Sequence, residues 1–371
     1  MILLEKLKIV AIVAVIVIII AGVAIIVSGN DSSKDSSGPF TVTDYLGRNV
    51  TINSTERIVS VSTTGTAILC GLGVSSNFVG VSSDASTYSV DSYAMSPTQD
   101  NFPQAVKDGM NSGKIKPLGA MYHLSAEAIV SVPSDLVVCD TLGTTPEIRN
   151  ALDSLGVTYV VIASSNTVVE GIYEKIEFLG EVVGKQTEAK RIISEMKSTI
   201  KTICDWSESI VNNQLNGQKY NVALMMTADI AIGGNYPQGS VLKGLVVNNA
   251  FESVGTYASV SKESIASVNP DVLIYQTLGM GDGVTDPIGF VNSLYNDPVL
   301  KGINAAKKGL IFTTIEGAKT TAGNANQDFV NAYALYAMFI YKDFLTFSIP
   351  DVFDSDNYAG YLAQFWDMLN S

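Results

Sequence analysis

The sequence predicts an α/β protein: two Rossmann-like lobes with parallel sheets, joined by a single long α-helix and preceded by an N-terminal transmembrane helix. Three observations predict it. Short apolar runs alternate with helical patterns along most of the chain, as parallel strands covered by helices do. One long, breaker-poor helical run lies between two such regions. A segment of the first region recurs in the second.

The 371 residues are 47% hydrophobic and only 16% charged, enough apolar material for two cored domains and too much for a disordered chain. The net charge of −13, with no basic stripe, excludes nucleic acid as a partner. Three cysteines are an odd number without metal-ligand spacing. Cys70 and Cys139 stand in apolar runs and read as small buried hydrophobes. Cys204 falls in the helical run.

Ile9 to Val27 carries no charge and reads as a membrane helix. Lys6 and Lys8 precede it and no positive cluster follows, which places the N-terminus in the cytoplasm and everything after Ser28 outside. The competing reading is a cleaved signal peptide, for which Gly22-Val23-Ala24 is a weak cleavage site. Residues 1–28 are therefore expected as an anchor and 29–39 as a flexible polar tether. The expected location is the cell membrane, single-pass, with the folded part outside. Asn30, Asn49 and Asn53 each begin an N-x-[ST] triplet, which has meaning only on an exported chain.

The first lobe is expected over residues 40–166. Strands are predicted at Arg57 to Ser62, Phe78 to Ser82, Asp135 to Cys139 and Thr158 to Ile162, with helices between them. The connector is expected over 167–212. Ile172, Ile176 and Leu179, then Ala189, Ile192, Ile193, Met196, Ile200 and Ile203 keep helical spacing, interrupted once at Gly180 and Gly184. The second lobe is expected over 213–371, with strands at Asn221 to Met225, Val272 to Tyr275 and Leu310 to Thr313 and a C-terminal helix from Asn326 to Phe347.

The repeat is gap-free. SAEAIVSVPSDLVVCDTLG, from Ser125 to Gly143, matches SKESIASVNPDVLIYQTLG, from Ser261 to Gly279. Nine of the nineteen positions are identical, including Ser125/Ser261, Glu127/Glu263, Asp135/Asp271 and Thr141/Thr277. Unrelated segments agree at about one position in nineteen, so the two halves share one design. Each copy reads as a Ser N-cap, a helix with Glu in its first turn, a bend and a buried strand. A glutamate there is ordinarily a helix-dipole residue. Its recurrence in both lobes presents Glu127 and Glu263 as a matched pair. Ligands in open parallel sheets sit outside the carboxyl ends of strands, so Thr141 and Thr277 are candidates to face each other across an interlobe cleft, or belong simply to turns that the following Gly allows.

At these residues the chain resembles the substrate-binding proteins of ABC importers for iron complexes, haem and cobalamin, the class III, helical-backbone periplasmic binding proteins. Val42 to Ile52 looks like the family's entry segment, and Arg57 to Ser62 with Gly71-Leu72-Gly73 like its first strand-helix unit. Val79 to Ser82 looks like its second strand, and Ser267 to Ile274 like its second-lobe signature. The resemblance implies capture of an iron-siderophore, haem or cobalamin-like complex between the lobes and its delivery to an importer permease with its ATPase. It implies that Glu127 and Glu263 dock on that permease, and that the protein holds no cofactor of its own. Thr63 and Ala67 stand where members often carry Pro and Glu, so that Glu's role is vacant here.

The loops expected to line the cleft hold Ser62, Thr63 and Thr64; Ser83 and Asp84; Tyr122 and His123; Asp140 and Thr141; Thr227; Asn235 and Tyr236; Gln276 and Thr277; and Glu316. They are rich in hydroxyls and contain no arginine, Arg149 being the nearest. That favours a neutral or cationic complex over an anionic one. His123 is the only histidine, so a free-ion site of several histidines and carboxylates is excluded. Tyr88, Tyr93, Tyr236 and Tyr257 are candidates to stack on a flat ligand, or simply to pack. No phosphate loop, nucleophile elbow or dinucleotide fingerprint follows a strand, so an enzyme is not expected. The alternative is a membrane-anchored surface sensor or adhesion module on the same fold, which would need no permease.

Overall fold

The apolar runs assemble into two separate sheets, each flanked by helices. The computed structural model describes residues 38–82, 104–120, 123–163, 169–276, 284–314, 329–353 and 355–371. An antiparallel hairpin, β1 (Phe40–Thr43) and β2 (Asn49–Ile52), leads into the first lobe. It is locked by Asp44, whose buried carboxylate accepts from the Arg48 guanidinium and from the backbone N–H of Val161.

The first lobe holds β3 (Ile58–Ser60), helix α1 (Thr63–Gly71), β4 (Phe78–Val81), α2 (Gln104–Asn111), β5 (Lys116–Pro117), α3 (Ala126–Val130), β6 (Leu136–Asp140), α4 (Pro146–Ser154) and β7 (Tyr159–Ile162). The sheet order is β5-β4-β3-β6-β7 and every pairing is parallel. Leu136, Val138 and Ile162 point to one face, and Val137, Cys139 and Val161 to the other. Both faces are covered, which explains why these strands read as continuous apolar runs.

Helix α5 (Glu170–Val182) and helix α6 (Gln186–Asn213) follow. The break between them falls at Gly184, whose φ of +68° suits the turn. Gly180 does not interrupt the helix. A Cβ there would lie 2.5 Å from the Ala189 Cβ, so its hydrogen is what lets α5 and α6 touch. The 28 residues of α6 span about 42 Å at 1.5 Å per residue. Its first half meets the first lobe, where Lys197 lies over the Tyr173 ring of α5. Its second half meets the other lobe, where Trp206 packs edge-on against Tyr341 and Phe365.

The second lobe holds β8 (Asn221–Met225), β9 (Ile230–Ile232), α7 (Pro237–Gly244), β10 (Asn248–Asn249), β11 (Tyr257–Ser259), α8 (Lys262–Val268), β12 (Val272–Tyr275), α9 (Pro287–Leu294), α10 (Asn304–Lys308), β13 (Ile311–Thr314), α11 (Val330–Ile340), β14 (Val352–Phe353) and α12 (Ser355–Leu369). The sheet order is β11-β9-β8-β12-β13-β14, with β10 beside the start of β8. It is not wholly parallel. β9 runs antiparallel to β8, and β11 antiparallel to β9. The long C-terminal helix expected to reach Phe347 ends at Ile340, and a second helix, α12, packs behind it.

The repeat occupies one slot in both sheets. β6 lies between β3 and β7, and β12 lies between β8 and β13. The carboxylate just ahead of each repeated strand ties down its neighbour. Asp135 accepts from the backbone N–H of Arg57 at 2.9 Å, and Asp271 from that of Asn221 at 3.0 Å. The N–H of each aspartate donates back to the same residue's carbonyl. The copies differ where their prolines differ: Asn269, ahead of Pro270, closes α8 in the left-handed conformation with φ 43°, whereas Ser131 closes α3 in the right-handed one.

One expectation is corrected. The transmembrane helix and its tether lie outside the described residues, and among the described residues no helix is long and apolar enough to cross a membrane. The longest, α6, carries charge along its outer face, as at Arg191, Glu195 and Lys201. The membrane helix is removed from the fold class, and with it the single-pass anchor, the membrane as a partner and the anchored location.

Candidate functional site

Of the described candidates, Thr63, Thr64, Thr141 and Thr227 each stand just past the carboxyl end of a strand of their own sheet. After β3, Ser62 caps α1 by accepting from the Gly65 N–H at 3.0 Å. Thr63 and Thr64 form the first turn of that helix, Thr64 buried and Thr63 half-buried. After β6, the buried Asp140 turns the chain by accepting from the N–H groups of Leu142 and Gly143 at 2.9 and 2.6 Å. That turn holds Thr141 at the edge and leaves Leu142 exposed. After β8, Thr227 donates to Asp229 at 3.2 Å across a tight hairpin. After β12, Gln276 is buried, and its carbonyl accepts from the Thr314 hydroxyl at the end of β13.

Two candidates are not brought to this edge. Asn235 and Tyr236 follow β9, which runs antiparallel to β8, so their loop leads back toward the amino end of the sheet. The N–H of Asn235 is bound there by the Gly255 carbonyl, and Tyr236 packs edge-on against Tyr257 at 6.0 Å. His123 is exposed, its N–H donating to the Ala120 carbonyl. Ser83, Tyr122, Thr277 and Glu316 lie outside the described residues, as do Asp84, Tyr88 and Tyr93. The Arg149 guanidinium is engaged by the Thr144 carbonyl within its own turn. Among the described residues no group of three or more His, Cys, Asp or Glu side chains is arranged to hold a metal ion.

Asp229 and Lys175 escape the sequence reading. Asp229 faces the edge from the hairpin between β8 and β9, a turn too short to show in the apolar pattern. Lys175 lies on α5, 4% exposed, and its ammonium has no hydrogen-bond partner among the described residues. Burial pushes it down to about 8, with the negative charge of Asp140 opposing. Its signal was present in the spacing, because Ile172, Lys175, Ile176 and Leu179 share one helical stripe.

Glu127 and Glu263 sit alike. Ser125 accepts from the Ala128 N–H at 3.1 Å and Ser261 from the Ser264 N–H at 3.2 Å, and each glutamate is exposed in the first turn so capped. Both are held below the usual carboxylate range, first by their own backbone N–H and then by the capping serine. Each helix starts just past the carboxyl end of the preceding strand, β5 or β11, and leads to the amino end of the repeated strand, so each glutamate lies toward the carboxyl edge of its own sheet.

Two α/β lobes on one backing helix, with the same unit supplying an interior strand of each sheet, define a two-lobed solute-binding fold. The chain belongs to the periplasmic binding protein family, whose sequence pattern matches residues 58–316. It is therefore a solute carrier and not an enzyme. It is 24% identical over 242 residues to an uncharacterized substrate-binding lipoprotein of an ABC transporter from Bacillus subtilis, covering 64% of this chain and 68% of that protein. It is 25% identical over 249 residues to a cobalamin-binding protein of Halobacterium salinarum, covering 66% of this chain and 60% of that one. Its fold matches the crystal structure of a possible iron-binding periplasmic solute-binding protein from Staphylococcus epidermidis with a TM-score of 0.61, at 23% identity, over 77% of this chain and 98% of the other.

Proposed function

We propose that this protein captures a metal complex, an iron-siderophore, haem or cobalamin-like molecule, between the carboxyl edges of its two sheets, outside the cytoplasm. It then delivers that complex to an ABC importer permease, with Glu127 and Glu263 as the docking residues. The lobe boundaries expected from the sequence, 40–166 and 213–371 around a connector at 167–212, go with this reading. The observation that carries it is the repeat: one unit supplies an interior strand of both sheets and gives each an exposed glutamate. Thr63, Thr64, Thr141 and Thr227 are the ligand contacts we assign among the described residues. The cobalamin-binding relative supports the ligand class. Among the described residues no arginine lies at the strand ends free to pair with an anion, which favours a neutral or cationic complex.

Native mass spectrometry of the purified protein, incubated in turn with a ferric siderophore, haem and cobalamin, tests this. One of them is expected to be retained at one molecule per chain, unaltered. At 100-fold excess over its Kd it should also stabilise the fold by about 2.7 kcal/mol. Retention of none, or conversion of one into product, contradicts the proposal.

A further inference from the structure

The chain has 24 asparagines, and the acceptor triplets are not spread among them. The first three, Asn30, Asn49 and Asn53, each begin N-x-[ST]; none of the asparagines after them does. Random placement among 24 would rarely select the first three. Asn30 lies outside the described residues. The other two stand on a surface built to show them.

Along β2 and the segment after it, Asn49, Thr51 and Asn53 are exposed, while Val50 is half-buried and Ile52 is fully buried. The period of two places the two asparagines and the hydroxyl between them on one outer face. Thr43 donates its hydroxyl to the Asn49 side-chain oxygen at 2.9 Å. The Asn49 Nδ2 amide is thereby left without a partner among the described residues. Asn53 opens the segment that runs to the amino end of β3. There Ser54 donates to Asp135 at 3.0 Å, and the Thr55 carbonyl accepts from Asn77 at 2.9 Å. Asp135 and Asn77 stand just ahead of β6 and β4, so Asn53 lies at the amino edge, the opposite end of the sheet from Thr63, Thr141 and the start of α3.

We infer that Asn49 and Asn53 are N-glycosylation sites. The donor class is an oligosaccharide linked to a lipid through phosphate. The side-chain nitrogen attacks the anomeric carbon, the N–C bond forms as the C–O bond to phosphate breaks, and the amide proton leaves with the phosphate. Glycan at these positions projects from the hairpin face and the amino edge. It leaves the carboxyl-edge turns of that sheet and the exposed Glu127 uncovered. The inference shares with the proposed function only the location outside the cytoplasm.

Both acceptors fall on one tryptic peptide, 49–57, bounded by Arg48 and Arg57. In the full chain isolated from its own cells, mass spectrometry is expected to find this peptide mainly as forms heavier by one or two glycans. Asn49→Gln and Asn53→Gln should each remove one. Thr51→Val should remove the glycan at Asn49 alone while leaving both asparagines in place. An unmodified peptide overturns the inference. Protease treatment of the same intact cells then separates the causes: a digested chain is exported and simply not an acceptor, whereas a protected chain overturns the location as well. Ligand retention by the purified protein is unaffected by either result.

Discussion

Glu127→Lys combined with Glu263→Lys is expected to abolish delivery of the ligand while leaving its capture intact. Both carboxylates are exposed and held below the usual carboxylate range, and among the described residues neither is engaged in an ion pair. Placing lysines against a basic permease surface sets like charges opposite each other, which costs several kcal/mol across an interface. Each 1.4 kcal/mol is tenfold, so uptake by cells carrying the double variant should fall by about 100-fold or more. Each single reversal should give an intermediate loss, because the repeat assigns the two lobes equal parts. Ligand retention and the thermal midpoint should stay close to those of the unchanged protein, since neither side chain packs against the core. Because both carboxyls are held below the usual range, wild-type delivery should also persist into mildly acidic medium. Wild-type uptake by the double variant would contradict docking through these residues. It would favour the sensor or adhesion reading, which needs no permease.

Lys175→Met is expected to stabilise the protein. The ammonium is buried on the apolar face of α5 without a hydrogen-bond partner among the described residues, and the negative charge of Asp140 compensates it only in part. Its proton affinity falls from 10.5 in the unfolded chain to about 8 when folded. Below pH 8 both states hold the proton and the folded state bears the whole penalty. Between about 8 and 10.5 the folded lysine has released its proton and the unfolded one has not, so stability rises with pH. Above that range both are neutral and the penalty is gone. A displacement of this size corresponds to roughly 3 kcal/mol. Methionine has similar length and no charge, and Asp140 keeps its bonds from Leu142 and Gly143. Urea unfolding should show the variant more stable at pH 7 by about 2 kcal/mol, with the wild type nearly catching up at pH 10. A variant less stable at pH 7 would mean that Lys175 holds a partner of its own.

Much of this architecture is legible in the residues, for identifiable reasons. The strands of the first lobe are buried on both faces, so Leu136 to Asp140 and Tyr159 to Ile162 stand out as apolar runs. Helix α6 is legible because one face must serve both lobes, which keeps Ala189, Ile192, Met196, Ile203 and Ile210 in register. The repeat is legible because Asp135 and Asp271 perform the same structural task, and a task of that kind fixes residue type. What was not legible depends on partners distant in sequence. β9 has three residues, too few to carry a period, and its direction is set by pairing with β8. That reversal takes Asn235 and Tyr236 away from the carboxyl edge. Lys175 lay within the apolar stripe of α5, but its burial depends on what packs against that stripe. The apolar N-terminal run met the length rule for a membrane helix, but no helix among the described residues is of that kind.

Hydrogen exchange with and without the complex that the protein retains bears most directly on whether both lobes hold the ligand. We expect slowed exchange together in Thr63–Thr66 and Thr141–Thr144 of one lobe and in Thr227–Asp229 and Gln276 of the other, with Asn235 and Tyr236 unchanged. Protection confined to one lobe, or centred on Asn235 and Tyr236, would show that the ligand does not lie between the two carboxyl edges.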